Sequence, residues 1–455
     1  MNDPAAALAR PAPLALRRDG ARPLPIGVRV WRFLVTARMV VAVYAGYKVL
    51  QIWGAVTGRS RRRDFYWKQH RRSALLIRDT AVKLEGLLIK ACQFAGSRAD
   101  ILPRAYVEIL SELQDRVPPR PFSVIRPWIE AELGRSLEQC FAEIEPTPIA
   151  AASLAQVHRG RLHDGTDIAV KVQYPQIERI IATDLANFSF FINLLARIER
   201  RFDLRILLDE VRELIPLELD FVNEARNARR FAENFRDDPA VVFPTPIEEL
   251  SCRTVLTMNY IEAIKISEVD RLAQAGIDKH EVAELLLRTY LKQILEHGFF
   301  HGDPHPGNLL VRPGPQLVIV DLGLAKEFTP EMRRGVIELA AAVLAGDSAR
   351  VGRAFRALGF RTKTGADDTF EAMAELLLGQ AFRAGRAYAD ATMVERIADE
   401  LFEALRANPL VRAPSDLLLV LRVMGLLSGI GKQLDSKVDP AAAVVPFLMR
   451  AQPTG

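Results

Sequence analysis

Hydrophobic spacing divides the chain into long helical stretches around one strand-rich region. From Ala74 to about Gln114, Leu76, Val82, Leu87, Leu88, Phe94, Ile101 and Leu102 recur at three- and four-residue intervals, a helical period interrupted at Pro103. Pro118, Pro119 and Pro121 make a hinge, Phe122 to Glu143 predicts a further helix, and Glu145-Pro146-Thr147-Pro148 marks a boundary. The period then shortens. Ala155 to Leu162 and Asp167 to Val172 read as strands joined by Asp164-Gly165, a strong hairpin signal. Helical stretches follow at 177–199 and 205–235, a strand at Arg253 to Tyr260, and a helix at 281–297 that Gly298 ends as a C-terminal cap. Leu309 to Val311 and Leu317 to Val320 flank the turn Pro313-Gly314-Pro315, and residues 330–450 read as almost wholly helical. This order predicts an α+β chain with two lobes. Its expected parts are a disordered tail (1–25), an apolar basic segment (26–72), a helical extension (73–145), a small lobe with inserted helices (146–263), a helical large lobe (264–440) and a tail (441–455).

The apolar basic segment has a distinct pattern. Between Met39 and Gly58 the only charge is Lys48, among Val40, Val41, Val43, Tyr44, Tyr47, Val49, Leu50, Ile52 and Trp53. Arg29, Arg32 and Arg38 alternate with apolar residues upstream, and Arg61-Arg62-Arg63 follows downstream. Residues 1–80 hold 16 Lys/Arg against 4 Asp/Glu, so the net charge of +5 conceals a basic front on a slightly acidic body. Aromatic and apolar neighbours favour an anionic lipid surface over nucleic acid. A helix lying in the membrane interface is the leading expectation. A span would place Lys48 near the bilayer centre at about 3 kcal/mol, and a helix packed on the body is the remaining alternative. The first 25 residues, rich in Pro, Ala and Arg, do not read as a secretory signal peptide.

Composition narrows the class. Of the 455 residues, 49% are apolar and 26% charged, values of an ordinary globular protein. Cys92, Cys140 and Cys252 are far apart and form no CxxC, so neither a disulfide scaffold nor a zinc ribbon is expected. No HExxH occurs.

Four clusters carry candidate chemistry, in an informative order. Asp167-Ile168-Ala169-Val170-Lys171 ends the hairpin; alone, Lys171 also reads as a snorkelling edge-strand lysine, and in a kinase small lobe as the phosphate-contacting one. Glu218-Leu219-Asp220-Phe221-Val222-Asn223-Glu224 is acidic; helical spacing would set Asp220 and Glu224 on one face, either solvated or with Glu224 presented to Lys171. His301-Gly302-Asp303-Pro304-His305-Pro306-Gly307-Asn308 places an Asn five residues after an Asp, and Asp321-Leu322-Gly323 follows one short hairpin later. A kinase catalytic loop has this spacing: its Asp is the candidate base, its Asn and the later Asp hold Mg²⁺. Carboxylate and amide oxygens suit Mg²⁺ rather than zinc. A glycine-rich nucleotide loop is missing. Ile149-Ala150-Ala151-Ala152-Ser153-Leu154-Ala155-Gln156-Val157 stands in its place, and without glycines it must meet phosphates differently or begin a plain helix.

These residues resemble the UbiB (AarF-like) family of atypical kinases. The resemblance rests on the alanine-rich loop, on Glu218-x-Asp220 with Glu224-Ala225-x-Asn227, on His301-Gly302-Asp303-x-His305-Pro306-Gly307-Asn308, and on a K-x-G-Q element present as Lys90-Ala91-Cys92-Gln93. It covers roughly residues 75–440. It implies a bilobal protein-kinase-like fold whose K-x-G-Q helix packs over the active site. It also implies ATP or ADP with Mg²⁺ as cofactors and a role in isoprenoid-quinone (ubiquinone) biosynthesis or lipid homeostasis at the cytoplasmic face of a membrane. A membrane lipid or polyprenyl quinone intermediate, and quinone-biosynthesis proteins, are the implied partners. By this resemblance Ala150, Ala151, Ala152 and Ser153 cover the phosphates, Met258 and Tyr260 flank the adenine, and Lys171 pairs with Glu224. Asp303 serves as base, Asn308 and Asp321 hold Mg²⁺, and Lys90 and Gln93 reach toward Glu218 or Asp220. Cys92 departs from the family's glycine, Asn259 from its frequent Glu, and Ala263 from its frequent Gly. His305 stands where ordinary protein kinases carry lysine. Two other readings remain: a small-molecule phosphotransferase of the aminoglycoside or choline kinase type, which would lack Lys90 to Pro119, and a nucleotide-gated scaffold.

Overall fold

The computed structural model describes residues 23–451 apart from 57–58, 97–101, 115–118, 199–204, 363–369, 371–409 and 413. Most of the tail expected over 1–25 therefore lies outside the described residues. Two compact units result, Met1–Asn223 with Ile247–Asn259, and Glu224–Pro246 with Tyr260–Gly455.

The first unit opens with α1 (Ile26–Val56), α2 (Arg59–Leu84), α3 (Leu87–Gly96) and α4 (Arg104–Ser111), whose inner faces gather Leu84, Leu88, Ile89, Cys92, Tyr106, Ile109 and Leu110 into one core. Next, α5 (Phe122–Leu133) and α6 (Leu137–Cys140) replace the single helix expected over Phe122 to Glu143. Gly134, at φ +67°, turns the chain out of α5, a left-handed conformation glycine takes without steric cost. The sheet runs β1 (Glu143–Ile144), β3 (Ala155–Arg161), β4 (Asp167–Gln173), β6 (Val255–Asn259), with β2 (Ala150–Ala151) also on β3. Ile168, Val170 and Val172 are fully buried against Ile125, Ile129, Ile181 and Ile215. After β4 come α7 (Ile177–Ile198), α8 (Arg205–Glu218) and the start of α9 (Phe221–Asn234).

Residues 205–235 are thus two helices, not the single one expected. The break falls at Leu219-Asp220, where Asp220 Oδ1 accepts from the backbone N–H groups of Val222 (3.1 Å) and Asn223 (3.2 Å). Asp220 is an N-cap, because a short carboxylate satisfies the orphan donors that open a helix. It does not share a helical face with Glu224.

The second unit carries the rest of α9, which buries Ala228, Phe231 and Phe235. Residues 224–246, expected within the small lobe, therefore pack with the large one. Its sheet orders β5 (Val241–Val242), β10 (Gln316–Ile319), β9 (Leu309–Arg312) and β7 (Ile264–Lys265). A second pair joins β8 (Phe299–His301) to β11 (Ala325–Glu327). Around them stand α10 (Val269–Gln274), α11 (Lys279–Leu291), α12 (Pro330–Leu344), α13 (Ser348–Ala357), α14 (Ser415–Gln433) and α15 (Pro440–Ala451). A wide π turn over Lys292–His297 follows α11 and stops at Gly298, φ +61°. Two expectations fail here. A short strand pair, β12 (Arg361–Thr362) with β13 (Leu410–Arg412), interrupts the helical region. The tail expected from 441 is largely α15, held because Phe447 is buried in the core.

Among the described residues, two helices are long and apolar enough to cross a membrane, Ile26–Trp53 and Ile177–Ile198. They pack on each other within the first unit. Arg32 on α1 makes a bidentate ion pair with Asp184 on α7 at 2.7 and 2.5 Å, and both are buried. Thr36 and Met39, four and seven residues on from Arg32, are buried too, whereas Ile26, Val30, Leu34, Val41 and Ile52 form an exposed apolar stripe.

Candidate active site

In the first unit, β4 lies between β3 and β6, so Lys171 stands on a central strand, paired with Val157 on one side and Leu256 on the other. This removes the edge-strand reading. With Ile168, Val170 and Val172 facing the core, alternation puts Lys171 on the opposite face, its Nζ 5.2 Å from the Phe221 ring centroid. Met258 pairs with Ala169 in the neighbouring strand, and Tyr260 follows that strand's last residue, Asn259.

The alanine loop is a tight hairpin, not a helix start. Ala150 pairs with Val157, Ala151 with Gln156, and the Ala152 N–H donates to the Ala155 carbonyl at 2.8 Å. No residue of Ala150 to Ser153 has positive φ, so the turn forms without glycine. Ser153 is buried.

The K-x-G-Q element lies on α3. Lys90 Nζ is 2.7 Å from Glu218 Oε1, with both side chains largely buried. Gln93 donates instead to the Leu113 carbonyl at 3.0 Å, which ties α3 to the turn after α4. Asp220, engaged as the cap of α9, is not the partner of Lys90. Cys92 fits the core where the family has glycine; burial pushes its thiol up to about 12, so it is a packing residue and not a nucleophile.

The acidic candidates Glu224, Asp303 and Asp321 belong to the second unit. Glu224, in the first turn of α9, is buried. A methyl group built on Gly323 would lie 3.6 Å from Glu224 Oε2 and 3.7 Å from Asp321 Oδ1, so both carboxylates converge on this glycine. Asp321 sits at φ +57°, in the left-handed region that few non-glycine residues occupy, aspartate more readily than most.

What holds Asp321 there is His301. The Asp321 carbonyl can only accept, so His301 Nε2 (3.0 Å) carries the proton, and Nδ1 takes the hydroxyl hydrogen of Tyr290 (2.9 Å). The His301 N–H donates to Gln293 at 2.8 Å. Full burial pushes the His301 pKa down and the Tyr290 pKa well up, which keeps both neutral and this chain of bonds intact. Asn227 adds a second tie, donating to the Leu322 carbonyl at 2.9 Å.

Asp303 follows β8, with Gly302 before it; a methyl group at Gly302 would lie 3.0 Å from Leu324 and 3.1 Å from Leu419, a tight fit that those leucines would have to shift to accept. The Asn308 amide donates to the Asp303 carbonyl at 3.2 Å, fixing the two residues to each other across the loop and leaving its oxygen as the acceptor. Arg422 on α14 donates to Asp303 Oδ1 at 3.0 Å. Nothing in the local sequence of Arg422 signals this role. Among the described residues no three His, Cys, Asp or Glu side chains form a closed metal cage. An open pair of oxygen ligands completed by substrate phosphates is the usual way Mg²⁺ is held; the Val320 N–H donates to the Asn308 carbonyl at 2.9 Å, so the segments carrying Asn308 and Asp321 run side by side.

Residues 112–355, more than half of the chain, match the model of the ABC1 atypical kinase-like domain. The chain belongs to the ABC1 (UbiB/AarF) family. Protein ACTIVITY OF BC1 COMPLEX KINASE 8, chloroplastic, of Arabidopsis thaliana is 33% identical over 93% of this chain and 59% of its own length. AarF domain-containing protein kinase 1 of Xenopus laevis is 31% identical over 82% of this chain and 73% of its own. The chain spans 59–66% of the length of the first three curated relatives it matches. A solved complex of Rv3197 with erythromycin from Mycobacterium tuberculosis superposes with a TM-score of 0.58 at 21% identity, over 84% of this chain and 97% of that one. This ABC1-family chain therefore has a kinase-like α+β fold with a helical N-terminal region.

Proposed function

We propose that this chain is a Mg²⁺- and ATP-dependent atypical kinase or ATPase that works at a membrane surface in isoprenoid-quinone biosynthesis or lipid homeostasis. The convergence of Glu224 and Asp321 at Gly323, with His301 clamping the Asp321 backbone, is the observation that carries the phosphoryl-transfer reading. Bound at Asp321 and Asn308, Mg²⁺ would neutralise the charge of the phosphates. Lys171 contacts those phosphates from the central strand, and the hairpin Ala150 to Ser153 covers them. Asp303 takes the acceptor proton or orients water, and Arg422 holds its carboxylate in place. The family membership and the K-x-G-Q helix support this reading over an aminoglycoside- or choline-kinase-type phosphotransferase.

The exposed stripe on α1 supports membrane association. Its buried Arg32–Asp184 pair favours a helix lying along the surface, because a span would carry this ion pair into the hydrocarbon. A polyprenyl phenol or anionic lipid is the proposed partner, on the cytoplasmic face.

Phosphate release measured with and without vesicles, wild type beside Asp303→Asn, tests the activity. Lipid-stimulated release that falls by about 100-fold or more in the variant is the expected result for a group that handles the proton. Equal release from both would remove Asp303 from the chemistry.

A further inference from the structure

The first unit contains a cavity apart from Lys171 and the alanine hairpin. It has a volume of about 1130 Å³ and lies among the start of α1, α5, the end of β4, α7 and Arg253-Thr254. None of Ala150 to Ser153, Lys171 or Met258 lines it.

Its walls hold polar atoms that the protein does not satisfy. Trp128 Nε1, Gln173 Oε1, Tyr174 OH, Asn187 Nδ2 and Arg253 Nε are all buried without a hydrogen-bond partner, and all five residues line the cavity. Gln173 and Tyr174 are only 1% and 4% exposed. Buried polar groups are nearly always paired in native proteins, so five orphans around one space mark a place built for a ligand. Four of the five can donate. Burial pushes the Tyr174 phenol up to about 12, so its hydroxyl keeps its proton to offer.

Charge points the same way. Arg29, Arg179 and Arg253 line the space with two carboxylates, and both carboxylates are engaged: Glu178 by Arg253 at 2.9 Å, Glu132 by the Thr254 hydroxyl at 2.6 Å. Beside Gln176 and Thr183, the remaining wall is mostly apolar, with Leu24 ahead of α1, Ile26, Val30 and Phe33 of α1 and Ile177 of α7. Ile26 and Val30 also begin the exposed apolar stripe of α1, so the cavity opens where that stripe starts.

We propose that this cavity binds an anionic amphiphile, its phosphate or carboxylate head on the donors at the end of β4 and its hydrocarbon tail along α1. The site lies within one unit and needs no nucleotide, so it stands or falls apart from the catalytic reading.

Calorimetry on the full chain with a submicellar short-chain phosphatidylglycerol tests it. The matching phosphatidylcholine and glycerol phosphate serve as the uncharged-head and head-only arms. Saturable binding is expected for phosphatidylglycerol, at least ten-fold weaker binding for phosphatidylcholine, and none for glycerol phosphate. Ala186→Trp fills the cavity from an exposed wall position, so its melting temperature without ligand should stay that of wild type while phosphatidylglycerol affinity falls ten-fold or more. Arg179→Gln provides a second variant, lowering phosphatidylglycerol affinity and leaving phosphatidylcholine affinity unchanged. Absence of saturable phosphatidylglycerol binding, equal affinity for phosphatidylcholine or for glycerol phosphate, or wild-type affinity in both variants would overturn the proposal.

Discussion

Lys90 and Glu218 meet at 2.7 Å, 128 positions apart in the chain, and join the K-x-G-Q helix to the end of α8. Their partial burial makes this a stronger pair than a surface ion pair, because less water screens it. Two residues beyond Glu218, Asp220 caps the helix that carries Glu224. The pair thus ties α3 to the chain just ahead of that cap.

Reversal of either charge should destabilise the protein, and the double reversal Lys90→Glu with Glu218→Lys should recover part of the loss. A coupling of about 1–3 kcal/mol is expected for contacting residues in one network. Urea unfolding of the four proteins measures it, and strictly additive single effects would show that the contact contributes nothing.

Asp184→Ala leaves Arg32 buried without its counter-ion, so a loss of about 3–5 kcal/mol is expected. Replacing both residues by apolar side chains of similar size should cost much less, since no uncompensated charge then remains. Equal losses in the single and paired variants, read by denaturant unfolding, would contradict this account of how α1 is held to α7.

Burial lowers the pKa of His70, His158, His297 and His301 below the ordinary value of 6.5. In the folded state these rings resist protons that the unfolded chain binds readily. Stability is therefore complete above about pH 6.5 and declines as pH falls through that value toward the depressed ones. Melting temperature should drop between pH 7.5 and 5.5; a flat or rising profile would show that these rings ionise as easily folded as unfolded.

Arg422→Gln removes the donor on Asp303 Oδ1. Phosphate release should fall about ten-fold, equivalent to about 1.4 kcal/mol of barrier, while Mg²⁺-ATP affinity stays near wild type. Unchanged release would make the contact purely structural. Faster release would mean that Arg422 restrains Asp303 rather than positions it.

The candidate clusters could be picked out of the sequence because each is local. Asp303 and Asn308 are five residues apart, Asp321 follows one hairpin later, and Lys171 lies in an alternating strand, so spacing alone orders them. The hairpin turn at Asp164-Gly165 and the stop at Gly298 were equally readable, since each depends on the backbone freedom of one residue. What spacing could not show is long-range pairing. Arg32 with Asp184 and Arg422 with Asp303 join residues more than a hundred positions apart and leave no local trace. Asp220 was read on a helical face because its spacing to Glu224 is helical; the backbone donors of Val222 and Asn223 claimed it as a cap instead. The break in 205–235 and the split of 122–143 were lost for a related reason, as apolar periodicity continues through both while a cap and a left-handed glycine interrupt the backbone.

The proposal that the chain binds Mg²⁺-ATP is tested most directly by thermal melting with the nucleotide and metal present. At a ligand concentration one hundred times its dissociation constant, wild type should gain about 2.7 kcal/mol of stability, seen as a higher melting temperature that chelation of the metal abolishes. Lys171→Ala and Asp321→Ala, folded without ligand, should lose most of that gain. A wild-type protein whose melting temperature ignores Mg²⁺-ATP, or variants that gain as much as wild type, would contradict the account.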